Sequence, residues 1–334
     1  MTAGAPPAPY DHPVRVTILD DYTDALRGLD CFGLLDGHDV TVLTEHVRDV
    51  DALAERLAGA EALVLIRERT AITAALLDRL PGLRLISQSG AYPHVDVEAC
   101  TRHGVLLSSR TGAVGPSHAT AELTWGLVLA AARQIPAQQA SLRAGSWQAG
   151  VGRTLRGRTL GVYGYGRIGR VVAGYGDAFG MDVLVWGSEA ARARAAGDGR
   201  RVPESRAAFF AGSDVLSVHL RLVEATRGAV TAADLAAMRP DALFVNTSRA
   251  GLVEPGALVA ALDAGRPGGA AVDVFDDEPT ATDPLLARPD VIATPHIGYV
   301  TREDLEGQFR DVFAQVVAYA AGEPTNVVNP DALR

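Results

Sequence analysis

The sequence predicts an α/β chain of two domains, each built on a parallel sheet, and three observations carry that prediction. Short runs rich in Val, Ile and Leu alternate with stretches of helical periodicity almost from the start to about residue 300. These runs are apolar throughout rather than at every second position, the pattern of strands covered on both faces by helices. At 334 residues and 48% hydrophobic content, the chain is long enough for about two domains and can bury a core in each.

The elements follow in order. The opening "MTAGAPPAPYDHP" lacks a basic n-region and an apolar h-region, so it is expected to be a loose tail and not a signal peptide. Five strands are expected before residue 110, at "VRVTILD", "DVTVLT", "ALVLI", "LRLISQS" and "GVLLSS". Between them "VDALAERLAG" and "TAALLDRLPG" carry apolar residues at helical spacing and end at Gly or Pro. A glycine-marked joint, "RTGAVGPS" at 110–117, precedes a helix from about Ser117 to Gln134. That helix is apolar on every side, Trp125 included, and so must be covered on every side; a subunit interface is the favoured cover over internal burial. A second array of strands runs through "RTLGVYG", "DVLVW", "DVLSVHL", "ALFVNTS", "GAAVDVF" and "DVIATPH", and a last helix spans about Thr301 to Ala321.

Charge and cysteine content narrow the class. Forty acidic against 31 basic residues leave a formal charge of −9, which argues against nucleic acid or an anionic membrane surface as partner. Local basic spots such as Arg192 and Arg194 do not overturn this. Cys31 and Cys100 show no paired metal spacing, which fits a reducing cytoplasm without disulfides or a metal site. The most apolar helical run, "LTWGLVLAAA", is too short for a bilayer. A soluble, cytoplasmic protein is expected.

The stretch "GYGRIG" places glycines at 164, 166 and 169 between a strand and a helix. Gly164 permits a tight turn, Gly166 lets backbone approach a pyrophosphate, and Gly169 lets the helix pack closely on the strand; Arg167 and Ile168 lie in the helix's first turn, whose positive end favours phosphate. Such a turn usually answers to an acid about 20 residues on that holds the adenosine ribose. Here "MDVLVWGSEAARARA" has no acid at the strand end.

Later strand ends carry further polar residues, at the edge where open α/β sheets bind ligands. "FVNTSRAG" places Thr247 and Arg249 just after a strand, "AVDVFDDEP" holds Asp273 and Glu278, and "IATPHIGY" holds His296. Singly, these read as a surface arginine, a solvated acidic turn and a loop histidine. Together they supply the cation, carboxylate and imidazole that redox chemistry on a 2-keto acid needs. Of the other histidines, none pairs at metal-ligand spacing; His94 and His118 neighbour suspected site loops, and His219, ending a strand of the second array, is a cofactor candidate.

With "GYGRIG", "VNTSRAGLVE", "AVDVFDDEP" and "TPHIGY" in order and spacing, the chain resembles the D-isomer-specific 2-hydroxyacid dehydrogenase family over nearly its whole length. The resemblance implies that Arg249 orients the keto acid, that His296 is the acid/base with Glu278 as its carboxylate partner, and that Asp273 lies near the nicotinamide amide. It further implies a flavodoxin-like substrate domain from 1–110 plus 301–334 and a Rossmann-like NAD(P)-binding domain at 111–300. The active site is then expected in the cleft between them, and a homodimer pairing through 117–150.

Departures from the family pattern bear on substrate and cofactor. In "SGAYPHVD", Ala91 stands where a second glycine is common and Pro93-His94 where Asp-Asn is common; the N–H groups of Gly90 and Ala91 are still expected to receive a substrate carboxylate. Arg67 in "LIRERT" matches an arginine that reaches substrate in some members, against a strand-end ion pair with Glu68 or a neighbour. Gly187 stands where an NAD-selective acid would stand, followed by Ser188 and by Arg192 and Arg194, so use of both NAD and NADP is expected, with NADP slightly preferred unless Glu189 replaces the acid. With the sequence ending at Arg334, no regulatory domain is expected. A non-catalytic NAD(H)-sensing corepressor and a formate- or phosphite-type dehydrogenase are the competing readings.

Overall fold

The computed structural model describes residues 10–112 and 118–333. The tail to residue 9 and most of the 110–117 joint, Ser117 included, lie outside the described residues. The chain divides into two units, Met1–Val114 with Thr301–Arg334, and Gly115–Val300.

In the first unit, β1 (Arg15–Ile18), β2 (Asp39–Val42), β3 (Ala62–Val64), β4 (Leu85–Ser89) and β5 (Leu106–Arg110) form one sheet in the order β2-β1-β3-β4-β5. Every pairing is parallel, as in Val16 beside Ala62 and Leu85 beside Leu106. Strand β3 explains its own uninterrupted apolar run: all three residues have no exposed surface. The short helices α1 (Val50–Arg56), α2 (Ala74–Leu77) and α3 (Val97–Arg102) each begin on a side chain, Asp49, Thr73 and Asp96, that accepts a first-turn N–H.

The C-terminal helix (Arg302–Ala320) belongs to this unit. Leu305, Phe309, Val312, Phe313, Val316 and Tyr319 recur at helical spacing and are all buried, each contributing about 1.5–3 kcal/mol for a full burial. A polar seam fixes its register on the sheet. Ser87 Oγ donates to the Val312 carbonyl at 2.8 Å, while Gln315 Nε2 donates to Ser87 Oγ at 2.8 Å and the Gln88 carbonyl at 3.0 Å.

The second unit holds β6 (Thr159–Tyr163), β7 (Asp182–Trp186), β8 (Val215–Val218), β9 (Leu243–Asn246), β10 (Gly269–Val272) and β11 (Val291–Ala293), ordered β11-β10-β9-β8-β6-β7 and all parallel. A parallel bridge from Leu184 to Arg201 adds one residue pair outside β7. Counting that bridge as a rudimentary strand completes the doubly wound order of dinucleotide-binding folds. Its helices are α4 (His118–Ala132), α5 (Ile135–Arg143), α6 (Arg167–Ala178), α7 (Glu189–Gly197), α8 (Arg206–Gly212), α9 (Ala232–Ala237) and α10 (Ala257–Asp263).

Helix α4 departs from expectation in two ways. It stops at Ala132, and Gln134, in the left-handed region at φ 53°, turns the chain into α5. Trp125, expected to help form a subunit interface, is 4% exposed inside its own unit. Its Nε1 donates to the Val172 carbonyl at 3.1 Å and its ring stacks on Phe179 at 4.6 Å. No helix among the described residues is long and apolar enough to cross a membrane.

Candidate active site

Because all strands of the second sheet are parallel, the residues that follow them lie along one edge. After β6, Gly164 has φ +104°, and a Cβ there would lie 2.5 Å from the His219 carbonyl oxygen. A Cβ at Gly169 would lie 2.0 Å from the Gly164 carbonyl oxygen, so helix α6 sits against the turn at a distance only glycine allows. A Cβ at Gly166 would meet nothing within 4 Å. Gly166 is also the N-cap of α6 and has no side chain to fold back on the first turn, Arg167 to Gly169. Open space over the positive end of a helix is what a pyrophosphate requires, so the turn fits a dinucleotide.

After β7, a Cβ on Gly187 would come within 3.2 Å of Ala191 Cβ. Ser188 caps α7, accepting the Ala191 N–H at 3.3 Å and keeping its own hydroxyl proton for another acceptor. The Arg192 guanidinium lies 4.5 Å over the Trp186 ring, a cation–π contact that holds a positive charge beside the strand end.

After β8, His219 donates its N–H to the Tyr163 carbonyl at 2.7 Å, tying it to the glycine turn. Its Nε2 lies 2.8 Å from Ser217 Oγ, and its buried Nδ1 has no partner. Burial pushes its pKa down to about 3, so the ring is neutral near pH 7 and supplies no charge to a phosphate.

After β9, Asn246, buried at 2% exposure, organises the next three residues. Its Oδ1 accepts the Ser248 N–H at 3.0 Å and its Nδ2 donates to the Arg249 carbonyl at 2.9 Å, an Asx-type turn. Nothing in the expectations marked Asn246; an asparagine ending an apolar strand two residues before a serine is the signal that could have. Arg249 Nη1 donates to the Ser248 carbonyl at 2.7 Å. Thr247, expected at the cofactor, lies 2.8 Å from Thr124 Oγ1 on α4 and is 5% exposed.

The loops after β10 and β11 meet. Glu278 Oε1 accepts the Phe275 N–H at 2.8 Å, and its Oε2 lies 2.5 Å from His296 Nδ1. Burial pushes the Glu278 carboxyl up. The hydrogen bond and charge of His296, the Phe275 amide and the charge of Arg249 outweigh it and hold the group below its ordinary range. A carboxylate can only accept, so His296 Nδ1 carries a proton and Nε2 is the ring atom left for chemistry.

His296 itself has φ 53°, a left-handed conformation that costs a non-glycine residue about 1–3 kcal/mol and persists only when its surroundings impose it. Asp273 imposes it. Its Oδ1 accepts Thr294 Oγ1 at 2.6 Å and the Ile297 N–H at 2.8 Å, and its Oδ2 accepts the Gly298 N–H at 2.8 Å. Asp273 was expected beside the nicotinamide amide. In the structure it has no exposed surface, because the loop folds back over the carboxylate and uses both oxygens. Burial raises its pKa, against those three hydrogen bonds and the charge of His296.

In the first unit, Gly90 has φ +95° and donates its N–H to the Arg110 carbonyl at 2.9 Å. That N–H, expected to receive a substrate carboxylate, is committed to the strand β5 edge. The carbonyls of Gly90 and Ala91 are held by Gln88 Nε2 at 3.2 and 3.3 Å. Arg67 lies after β3 with φ 57°. His94 has both ring nitrogens buried without partners, and burial lowers its pKa against the charge of Glu68. His118 Nδ1 lies 3.4 Å from the Tyr175 hydroxyl.

A groove of about 430 Å³ in the second unit is lined by Val215, Leu243, Gly269 and Val291 among others. These residues begin β8 to β11, so the groove is at the opposite edge from the glycine turn and from His296, where such sheets do not place their ligands.

Residues 125–298 match the family model described as D-isomer specific 2-hydroxyacid dehydrogenase, NAD binding domain. The chain is 33% identical to a glyoxylate reductase of Thermococcus litoralis, covering 87% of each protein. It is 34% identical to a D-3-phosphoglycerate dehydrogenase of Methanocaldococcus jannaschii, over 95% of this chain and 59% of that enzyme. A solved structure from Ralstonia solanacearum superposes with a TM-score of 0.92 at 52% identity, covering 96% and 98% of the two chains. A phosphoglycerate oxidoreductase from Vibrio cholerae does so at 0.87 and 51%, covering 92% and 99%. These relatives bear the names of dehydrogenases, reductases and oxidoreductases, and a non-catalytic sensor is not favoured. The chain belongs to the D-isomer-specific 2-hydroxyacid dehydrogenase family and is an NAD-dependent oxidoreductase.

Proposed function

We propose that this chain interconverts a small 2-keto acid and its D-2-hydroxy acid. The observation that carries the reading is the Glu278–His296 contact at 2.5 Å, which fixes one ring nitrogen and leaves Nε2 to transfer a proton. A nicotinamide cofactor bound at the glycine turn supplies the hydride. In reduction, the carbonyl oxygen gains negative charge, and His296 Nε2 donates the proton that completes the hydroxyl. The Glu278 carboxylate, held in its charged form, stabilises the ring while it is cationic. Arg249 grips the substrate carboxylate. Relatives named glyoxylate reductase and D-3-phosphoglycerate dehydrogenase support a small 2-keto or 2-hydroxy acid as the substrate class. The test is a panel of glyoxylate, hydroxypyruvate, pyruvate, phenylpyruvate and 2-ketoisocaproate with NADH and with NADPH. Turnover of none of them overturns the reading.

The same panel reads the cofactor choice. No acid stands at Gly187, and Arg192 is held on Trp186 beside Ser188, so both cofactors are expected to serve, with NADPH slightly preferred. Arg192→Ala is expected to weaken NADPH by about tenfold, roughly 1.4 kcal/mol, and to leave NADH unchanged. A preference for NADH above about tenfold in the unaltered protein would instead assign the ribose to Glu189. Gly187→Asp is the poorer test, because its Cβ meets Ala191 Cβ at 3.2 Å.

The reading includes a homodimer through residues 117–150. Trp125 does not support it, but Ile135, Leu142, Trp147 and Val151 do, at 52%, 56%, 79% and 91% exposure. Helix α5 buries none of its residues. Large apolar side chains gathered in one short stretch mark a surface made for covering. Light scattering at micromolar concentration is expected to give twice the chain mass, and Trp147→Glu to lower it. A monomeric mass for the unaltered protein refutes the dimer.

A further inference from the structure

The first unit has a cluster of its own, apart from Arg249, Glu278 and His296. The strand order β2-β1-β3-β4-β5 reverses direction between β1 and β3, and ligands of open α/β sheets bind at the carboxyl ends of the strands beside such a reversal. Asp20 follows β1 there, His46 follows β2, and Arg67, Arg69 and Thr70 follow β3.

These groups are joined through Asp20, which is 2% exposed. Its Oδ2 accepts Thr70 Oγ1 at 2.6 Å and its Oδ1 accepts His46 Nδ1 at 2.9 Å. Its backbone carbonyl accepts Arg69 Nη1 at 2.5 Å, and the Arg69 guanidinium lies 4.4 Å over the Tyr22 ring. The neighbouring Asp21 shows what an ordinary buried aspartate does in this loop: it accepts the N–H groups of Ala25 and Leu26, four and five residues on. The backbone carbonyl of Asp20 accepts the Tyr22 N–H at 3.0 Å as well as Arg69, but the partners of its carboxylate lie 26 and 50 positions away. The Asp20 carboxylate therefore caps no turn but ties three strand ends together. Asp20 and Arg67 also share a strained feature, left-handed φ values of 60° and 57° at the ends of adjacent strands. Non-glycine residues hold that conformation where surrounding contacts over-determine it, and such sites concentrate at ligand-binding edges.

We propose that Asp20 is a positioning residue for substrate recognition. Through Thr70, with His46 holding its other oxygen, its carboxylate keeps the segment 67–70 in the conformation in which Arg67 meets an anionic group of the 2-keto acid. A carboxylate buried with two distant partners is a costly way to make a loop merely stable, since an apolar residue of similar size needs no hydrogen bonds to be buried. It is an effective way to fix an arginine to within the few tenths of an ångström that an ion-paired carboxylate demands. The proposal rests on the 2-keto acid reading above.

The test compares Thr70→Val, which keeps the shape and removes the donor to Asp20, with Thr70→Ser, which keeps the hydroxyl. With the best substrate of the keto-acid panel, Thr70→Val is expected to raise its KM by about five- to tenfold, on the order of one lost charge-assisted hydrogen bond. The kcat and the KM for the nicotinamide cofactor are expected to stay within about twofold, and Thr70→Ser is expected to restore the keto-acid KM. Asp20→Asn is expected to show a larger effect of the same kind; should it not fold, the Thr70 pair decides. An unchanged keto-acid KM in a folded Thr70→Val protein overturns the proposal and leaves the functional reading intact. So does a loss shared equally by kcat and cofactor KM that serine does not rescue, which marks a structural role. An unaltered protein that turns over no keto acid overturns both.

Discussion

Replacing His296 with Gln is expected to lower kcat for keto-acid reduction by roughly 10² to 10⁴, the usual contribution of a positioned proton donor. Glutamine can occupy the space and accept or donate a hydrogen bond, but its amide cannot release a proton to the forming alkoxide. Cofactor binding is expected to persist, because the glycine turn after β6 does not involve the ring. The control is Glu278→Gln. The Glu278 carboxyl is held below its ordinary range, with the hydrogen bond and charge of His296 among the causes, so it is charged across the neutral region. On the proposed proton transfer, reduction is expected to use the protonated ring and to fall as pH rises, and oxidation to use the neutral ring and to gain over the same interval. Removing the carboxylate charge is expected to move both limbs to lower pH. Rates of both directions measured from pH 5 to 10 check this, and profiles that do not move in the Glu278 variant would remove the pair from the chemistry.

The sheets were legible because their strands are buried on both faces. A run such as "ALVLI" has no alternation to confuse with a surface strand, and β3 within it is wholly buried. What covers an apolar helix was not legible. Composition marks α4 as apolar all round, but only the fold shows that Val172 and Phe179 meet Trp125, while the exposed aromatic of that region is Trp147. Charged residues at strand ends stood out in the same way without disclosing their direction. Asp273 and Glu278 are both acids following β10. One turns inward to three donors of the loop after β11, and the other turns to His296, a difference set by how the chain from 294 to 298 folds back. Local spacing also hides long-range ties. The contact of Asp20 with Thr70 spans 50 positions and has no periodic signature, whereas the Asx-type turn at Asn246 is written in adjacent residues.

Arg249→Lys is expected to keep cofactor binding and to lose about 10- to 100-fold in kcat/KM for the keto acid. Asn246 grips the backbone on either side of Arg249, and Arg249 Nη1 is fixed on the Ser248 carbonyl at 2.7 Å, so one arm of the guanidinium orients the rest of the fork. A planar fork gives a carboxylate two parallel hydrogen bonds. An ammonium on a flexible stem retains the charge but cannot hold the backbone carbonyl and make that two-pronged contact at once. Losing one charge-assisted hydrogen bond of about 1.5–3 kcal/mol corresponds to that range of kcat/KM. The charge of Arg249 also helps hold Glu278 in its ionised form, and lysine preserves that contribution, so the pH profile of the variant is expected to stay where it was. Steady-state kinetics against both substrates, with NAD(P)H affinity measured by fluorescence titration, separate the alternatives. A collapse of cofactor affinity would make Arg249 a support of the β9 turn, and a shifted pH profile would mean that its link to Glu278, not its grip on substrate, had been lost.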